Sequence, residues 1–234
     1  MSDESDAVIE LSNVSHSYDD RPVLRDVSLR LTERRVGIIG ANGSGKSTLA
    51  RTLNGLVVPD SGRVSVDGLD TRRDPRSIRR RVGFIFADAD AQILMPTVAE
   101  DVAIGLRDRG RTAAETATMV EETLRRWGLW AHRDHPAHLL SSGQKQLLAL
   151  ASVLATEPSV LVCDEPTTLL DLRNLHRLRR ALRALPQRVL LLTHHLDMLT
   201  EFDRVLVMDE GRVVFDGRPE PAVAFYQELM GSDE

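Results

Sequence analysis

Cysteine, lysine, aromatic residues and long apolar runs are all scarce in this chain, and each scarcity excludes something. The single cysteine, Cys163, has no internal disulfide partner, which fits a reducing compartment. No stretch approaches the roughly 18 consecutive apolar residues that a membrane-spanning helix needs. The opening MSDESDAVIE is acidic and lacks an apolar core, so no secretory signal is expected. Aromatic residues make up only 4% of the chain and its net charge is -5, which leaves no general case for a nucleic-acid surface. Lysine is the sharpest deficit: of 30 basic residues, 28 are arginine and only Lys46 and Lys145 are lysine. Those two positions call for an explanation.

What is present reads as one domain carrying a small insert. The 234 residues are 42% hydrophobic, enough for a substantial core, with no internal repeat. Ala7–Leu11 and Val23–Leu31 read as strands around the turn Asp19-Asp20-Arg21-Pro22. Val36–Ile39 is a short apolar strand, followed by a glycine-rich loop and a helix over Ser47–Leu56. Val64–Val66 and Val82–Phe86 read as further strands. Ala113, Ala117, Val120, Leu124 and Trp127 repeat at helical spacing, and Leu147–Ala155 reads as an apolar helix. Val160–Cys163 and Val189–Leu192 are wholly apolar, as central parallel strands are. Between them Leu175, Leu178, Leu182 and Leu185 mark a helix stopped by Pro186. Val205–Met208 and Val213–Phe215 flank the turn Glu210-Gly211. The alternation predicts an α/β core interrupted by a helical insert at approximately Ala87–Ser142.

Gly40-Ala41-Asn42-Gly43-Ser44-Gly45-Lys46-Ser47, continuing into Thr48, fits G-x-x-x-x-G-K-[ST] between a strand and a helix. Glycines let successive backbone N–H groups converge on a phosphate without Cβ clashes, and the helix that follows adds its positive end. Lys46 brings a compact charge to the β and γ phosphates, and the Ser47 hydroxyl suits Mg²⁺. A second signal is Val160–Cys163 followed by Asp164 and Glu165. At the end of a buried strand Asp164 is placed to hold Mg²⁺ through water, and Glu165 to orient and deprotonate an attacking water.

Leu140-Ser141-Ser142-Gly143-Gln144 resembles the LSGGQ signature of ATP-binding cassette (ABC) ATPases. Thr168-Leu169-Leu170-Asp171 resembles that family's D-loop, and Thr193-His194 its switch histidine. Tyr18, ahead of the phosphate loop, matches the aromatic that stacks on adenine. The resemblance runs from about Ile9 to Gly217. It implies a P-loop NTPase fold: a RecA-like parallel-sheet core, an N-terminal antiparallel β subdomain and an α-helical insert. The expected layout is one ATPase domain over 7–234, with core 7–86 and 143–217, helical subdomain 87–142 and C-terminal helix 218–234.

The resemblance also implies the mechanism. Two such subunits, most simply a homodimer, face head to tail with two Mg·ATP between them. Each ATP is held by the phosphate loop of one subunit and by Ser141, Gly143 and Gln144 of the other. His194 would contact the γ-phosphate beside Glu165, and Asp171 would bridge the half-sites. Three departures stand out. Ser142 replaces a glycine, His195 replaces the aspartate after the switch histidine, and Ala87 occupies the place of the Q-loop glutamine. Asp88 or Gln92 is the expected substitute for that last polar contact.

Asp90-Ala91-Gln92-Ile93-Leu94-Met95-Pro96-Thr97-Val98-Ala99-Glu100-Asp101-Val102-Ala103 resembles the energy-coupling factor (ECF) branch of the family. The stretch Ser141–Asn174 is similar to the biotin-transport members, with cobalt and nickel ATPases as rivals. That branch implies a peripheral protein on the cytoplasmic face of a membrane, docked through Ala87–Asp101 on a transmembrane scaffold that carries a substrate-capturing subunit. A soluble ABC ATPase acting on nucleic acid is the alternative class, and such proteins usually carry tandem cassettes or long coiled-coil inserts, both missing here. Six arginines between Arg72 and Arg81 read as a solvated helix face. His132, His135 and His138 lack the rigid convergence of a zinc site. Cys163 and the two tryptophans read as packing residues.

Overall fold

The computed structural model describes residues 8–107, 110–167 and 170–231. The chain forms two compact units: Met1–Val82 with Ser159–Asp164 and Pro186–Glu234, and Gly83–Pro158 with Glu165–Leu185. In chain order the strands and helices begin with β1 (Ile9–Tyr18), β2 (Arg21–Leu31), β3 (Arg35–Gly40), α1 (Lys46–Leu53), β4 (Ser61–Val66), β5 (Leu69–Asp70) and α2 (Pro75–Arg81). They continue with β6 (Val82–Ile85), α3 (Val98–Ile104), α4 (Ala113–Trp127), α5 (Ser142–Leu154) and β7 (Val160–Asp164). The last are α6 (Leu172–Ala184), β8 (Arg188–Leu192), β9 (Arg204–Asp209), β10 (Arg212–Gly217) and α7 (Pro219–Gly231).

The first unit holds an antiparallel sheet in the order β2-β1-β4-β5. Its first hairpin turns on Asp19 and Asp20 alone, at φ 44° and 64°, the double positive φ of a type I′ turn whose twist matches its strands. β1 runs seven residues beyond the expected Leu11, to Tyr18, through register shifts that break the apolar alternation and hide the strand from a periodicity reading. α2 buries only Ile78, so the arginines between Arg72 and Arg81 do line a solvated surface.

The second sheet carries β10-β9-β3-β8-β7 in this unit. β3 pairs in parallel with β8 and β9, and β7 with β8. Val160–Cys163 and Val189–Leu192 are fully buried, each side chain contributing about 1.5–3 kcal/mol of apolar burial where it is large. The register sets Ile38 against Leu192 and Leu192 against Asp164. Three parallel strands therefore end together, and whatever follows them shares one edge, the place where open α/β sheets bind ligands.

The second unit is mainly helical. Three of its helices start in capping boxes: Thr97 with Glu100 on α3, Thr112 with Glu115 on α4, and Ser141 with Gln144 on α5. α4 matches the expected stripe and buries Val120, Leu124 and Trp127, then stops at Gly128 with φ 69°. Asp101 is buried and accepts from Leu94 N at 2.8 Å and Met95 N at 3.2 Å, while its other oxygen accepts from the Ser152 hydroxyl at 2.8 Å. One carboxylate thereby ties the loop before α3 to α3 and α5. The architecture is the α/β P-loop type that the sequence predicts.

Candidate active site

The phosphate loop joins β3 to α1. Gly45 has φ 98°, and a Cβ there would lie 2.5 Å from the carbonyl oxygen of Val23; only glycine fits. Gly40 approaches the backbone as closely, since a Cβ would lie 2.1 Å from the Met208 oxygen. Ser44, Gly45, Lys46 and Thr48 are buried, Asn42 and Gly43 form the exposed tip, and Ala41 and Ser47 are half-buried. Lys46 is 8% exposed, and its ammonium donates to Gly40 O at 2.7 Å and Ala41 O at 2.8 Å. A short flexible point charge is thus gathered inside the loop, a task that the planar arginine fork would not fit. α1 starts at Lys46 and ends at Leu53, three residues before the expected Leu56, because Asn54 closes the helix and Gly55 turns away at φ 69°.

Asp164, the last residue of β7, is 3% exposed and accepts from the Ser47 hydroxyl at 2.8 Å; the Arg51 guanidinium stands 3.9 Å away. A hydroxyl and a buried carboxylate side by side make the oxygen donor set of a hard divalent cation such as Mg²⁺. Burial, and secondarily the Asp164 charge, pushes the Cys163 thiol well above its usual range. That keeps it an inert packing residue. The next residue, Glu165, has φ 52°. A left-handed backbone costs a residue other than glycine roughly 1–2 kcal/mol, and such strain tends to sit at functional positions.

His194 leaves the end of β8 and is exposed, while His195 is half-buried and starts the following 3-10 turn, its N–H bonded to Thr193 Oγ1 at 3.0 Å. Tyr18 closes β1 with 44% of its surface exposed, its ring edge-on to His16 at 4.7 Å.

In the second unit, Ser141 caps α5 and accepts from Gln144 N at 3.3 Å. Gly143 is buried, and a Cβ on it would press within 2.4 Å of the Asn174 amide. Asn174 N in turn donates to Asp171 at 2.8 Å, where Asp171 caps α6. The signature loop and Asp171 are therefore mounted together. Of the D-loop resemblance, Thr168 and Leu169 lie outside the described residues.

Three contacts were not visible in the sequence. Lys145, the second lysine, pairs with Asp90 at 2.6 Å. Gln92 bridges the end of β6, accepting from Phe86 N at 3.0 Å and donating to Phe84 O at 3.0 Å. Gln144 also reaches His132. Glutamine and lysine at these positions carry no periodic signal; the turn after β6 and, for Gln144, the 3-10 turn Trp130–His132 bring their partners within reach.

A glycine loop between a strand and a helix, a buried lysine, and a carboxylate at the end of a strand one removed in the same parallel sheet define a P-loop nucleoside triphosphatase. The model of the ABC transporter family matches residues 24–168; the chain belongs to that family and is an ABC-type ATPase. It is similar to the biotin transport ATP-binding protein BioM of Rhizobium etli, at 43% identity over 94% of this chain and 98% of that one. An energy-coupling factor transporter ATP-binding protein of Symbiobacterium thermophilum is 48% identical over 81% of this chain and 68% of its own length. A cobalt import ATP-binding protein of Syntrophus aciditrophicus is 41% identical over 91% and 79% respectively. Among solved structures, cbiO1 of Clostridium perfringens, part of an ABC transporter complex, superposes with TM-score 0.82 at 32% identity, covering 97% of this chain and 94% of that one.

Proposed function

We propose that this chain is the ATP-hydrolysing subunit of an ECF-type importer and that the cargo is biotin. The observation that carries the catalytic part is the Ser47–Asp164 contact beside a buried Lys46. Gly40–Thr48 cradle the phosphates, Lys46 holds the β and γ oxygens, and Tyr18 stacks on the base. Ser47 and Asp164 would hold Mg²⁺, which when bound neutralises charge on the phosphates. Glu165 accepts a proton from the water that attacks the γ-phosphorus, ADP departs, and His194 donates a hydrogen bond to the transferred group. The nucleotide is completed by Ser141, Gly143 and Gln144 of a second copy, with Asp171 bridging the half-sites.

No helix among the described residues is long and apolar enough to cross a membrane; in the proposed importer the span belongs to other chains. On this reading the subunit sits on the cytoplasmic face, against a transmembrane scaffold bearing a substrate-capturing subunit. A cavity of about 640 Å³ in the helical unit, lined by Ala99, Glu100, Ala103, Val120 and Trp130 among others, supports a docking place that overlaps the end of Ala87–Asp101. Similarity to the cobalt import protein favours a second reading, with a metal ion as cargo. Purification from solubilised membranes tests both: co-purified membrane subunits whose loss abolishes biotin uptake support the first. Loss of cobalt uptake with intact biotin uptake replaces it, and co-purified nucleic acid overturns both.

A further inference from the structure

Behind the Ser141–Gln144 loop runs a chain of hydrogen bonds whose direction is fixed by chemistry. The Ser141 backbone N–H, a donor only, bonds to Gln144 Oε1 at 2.9 Å, so the other end of that amide is the NH₂ group. Gln144 Nε2 lies 3.0 Å from His132 Nε2. A donor there requires a lone pair on His132 Nε2, which places the ring proton on Nδ1. His132 Nδ1 lies 3.1 Å from His135 Nδ1, so that proton is donated to a lone pair, and His135 carries its own proton on Nε2. The direction runs from Gln144 through His132 to His135, with both rings neutral.

We infer that His132, as a neutral ring with its proton on Nδ1, is a positioning residue for the signature loop. The other neutral tautomer of His132 would set N–H against the Gln144 NH₂ group. That would break the link and free the Gln144 side chain, whose other end secures the Ser141 N–H. The remaining charged groups nearby have contacts of their own. Arg133 pairs with Asp134 at 3.1 Å, and Arg125 and Arg133 each stand over the Trp130 ring, 4.7 and 4.8 Å from its centroid. Glu100 accepts from Thr97 on α3 at 2.7 Å, and Lys145 on α5 holds Asp90 at 2.6 Å. His138, exposed, lies on the next 3-10 turn. The catalytic consequence rests on the reading above, in which Ser141 and Gly143 meet the other copy's nucleotide.

The test is a long-range ¹⁵N–¹H NMR measurement of histidine tautomers on the full chain, with ATP turnover at about pH 8 for His132→Gln and His132→Ala beside Lys46→Ala. At about pH 8, His132 should be protonated on Nδ1 and His135 on Nε2. His132→Gln supplies an acceptor oxygen in place of the Nε2 lone pair. It should keep turnover within about twofold of the parent at about pH 8. His132→Ala should turn over about tenfold slower at pH 8, with unchanged nucleotide affinity of the isolated subunit. A proton on His132 Nε2 at about pH 8, or turnover in His132→Gln as low as in His132→Ala, overturns the inference. Lys46→Ala separates the two readings. If it abolishes turnover while the His132 variants behave as the parent, the inference falls and the ATPase site stands. If it turns over normally, the ATPase site falls, and the tautomers alone decide the hydrogen-bond chain.

Discussion

The Ser47 hydroxyl donates a 2.8 Å hydrogen bond to Asp164, 117 positions further along the chain. One residue lies in the first turn of α1 and the other ends β7, and the parallel register of β3, β8 and β7 is what brings them together. Removing either leaves the other without its counterpart in a largely buried setting. Ser47→Ala and Asp164→Asn should each raise the Mg²⁺ needed for half-maximal turnover at least about tenfold, as loss of one ligand does. The double variant should fall well short of the sum, because the residues act as one unit. Turnover against Mg²⁺ concentration measures both.

Lys46→Ala should reduce turnover by about a thousandfold or more, since the loop loses its one compact charge. Lys46→Arg should fail almost as badly. Its fork cannot reproduce the two bonds from one nitrogen to Gly40 O and Ala41 O. Steady-state ATP hydrolysis decides, and activity near the parent's in Lys46→Arg would contradict the reasoning.

Gln92 and Asp88 should separate cleanly. Gln92→Ala leaves Phe86 N and Phe84 O without their side-chain partner and should cost about 1–2 kcal/mol of stability. Asp88 is exposed and accepts only from Asp90 N, at 2.9 Å, among the hydrogen bonds described. Asp88→Ala should leave the urea midpoint almost unchanged and lower transport coupling, making Asp88 the better heir to the polar contact missing at Ala87. Full coupling in Asp88→Ala would remove that assignment.

A pH effect on stability follows from the first unit. Burial works to raise the Glu33 carboxyl, but backbone N–H groups of Glu33 and Thr32, with Arg204, outweigh it and hold it below the usual range. A depressed carboxyl stabilises the fold above its unfolded value of about 4.3 and loses that contribution as pH falls through the folded value. Arg204 also forks onto Asp216 through two 2.6 Å bonds. Arg204→Met should therefore lower the urea midpoint at pH 7, and the gap from the parent should narrow below about pH 4.

Much of this was legible in the chain itself. The phosphate loop was legible because glycine, lysine and serine occur there for reasons of local geometry, and β7 and β8 because strands buried on both faces are written without polar residues. The S/T-x-x-E/Q starts at Thr97, Thr112 and Ser141 are likewise local chemistry. β1 hid its length because bulges disrupt a two-residue period. The pairing of Lys145 with Asp90, the Gln92 bridge and the Gln144–His132 contact depend on side chains meeting across a folded turn, and no spacing announces them. The functional assignment of Lys145 thus resolves differently from that of Lys46: an ion pair inside the helical unit instead of a phosphate contact.

Glu165→Gln tests the central claim most directly, that the Glu165 carboxylate drives hydrolysis between two copies of the chain. The substitution preserves size and hydrogen bonding but removes the base. Measured together by turnover and by size-exclusion chromatography with Mg·ATP, the variant should bind nucleotide, lose at least about a hundredfold in rate, and accumulate as an ATP-dependent dimer. Turnover at the parent's rate, with the chain still monomeric in saturating ATP, would contradict the account.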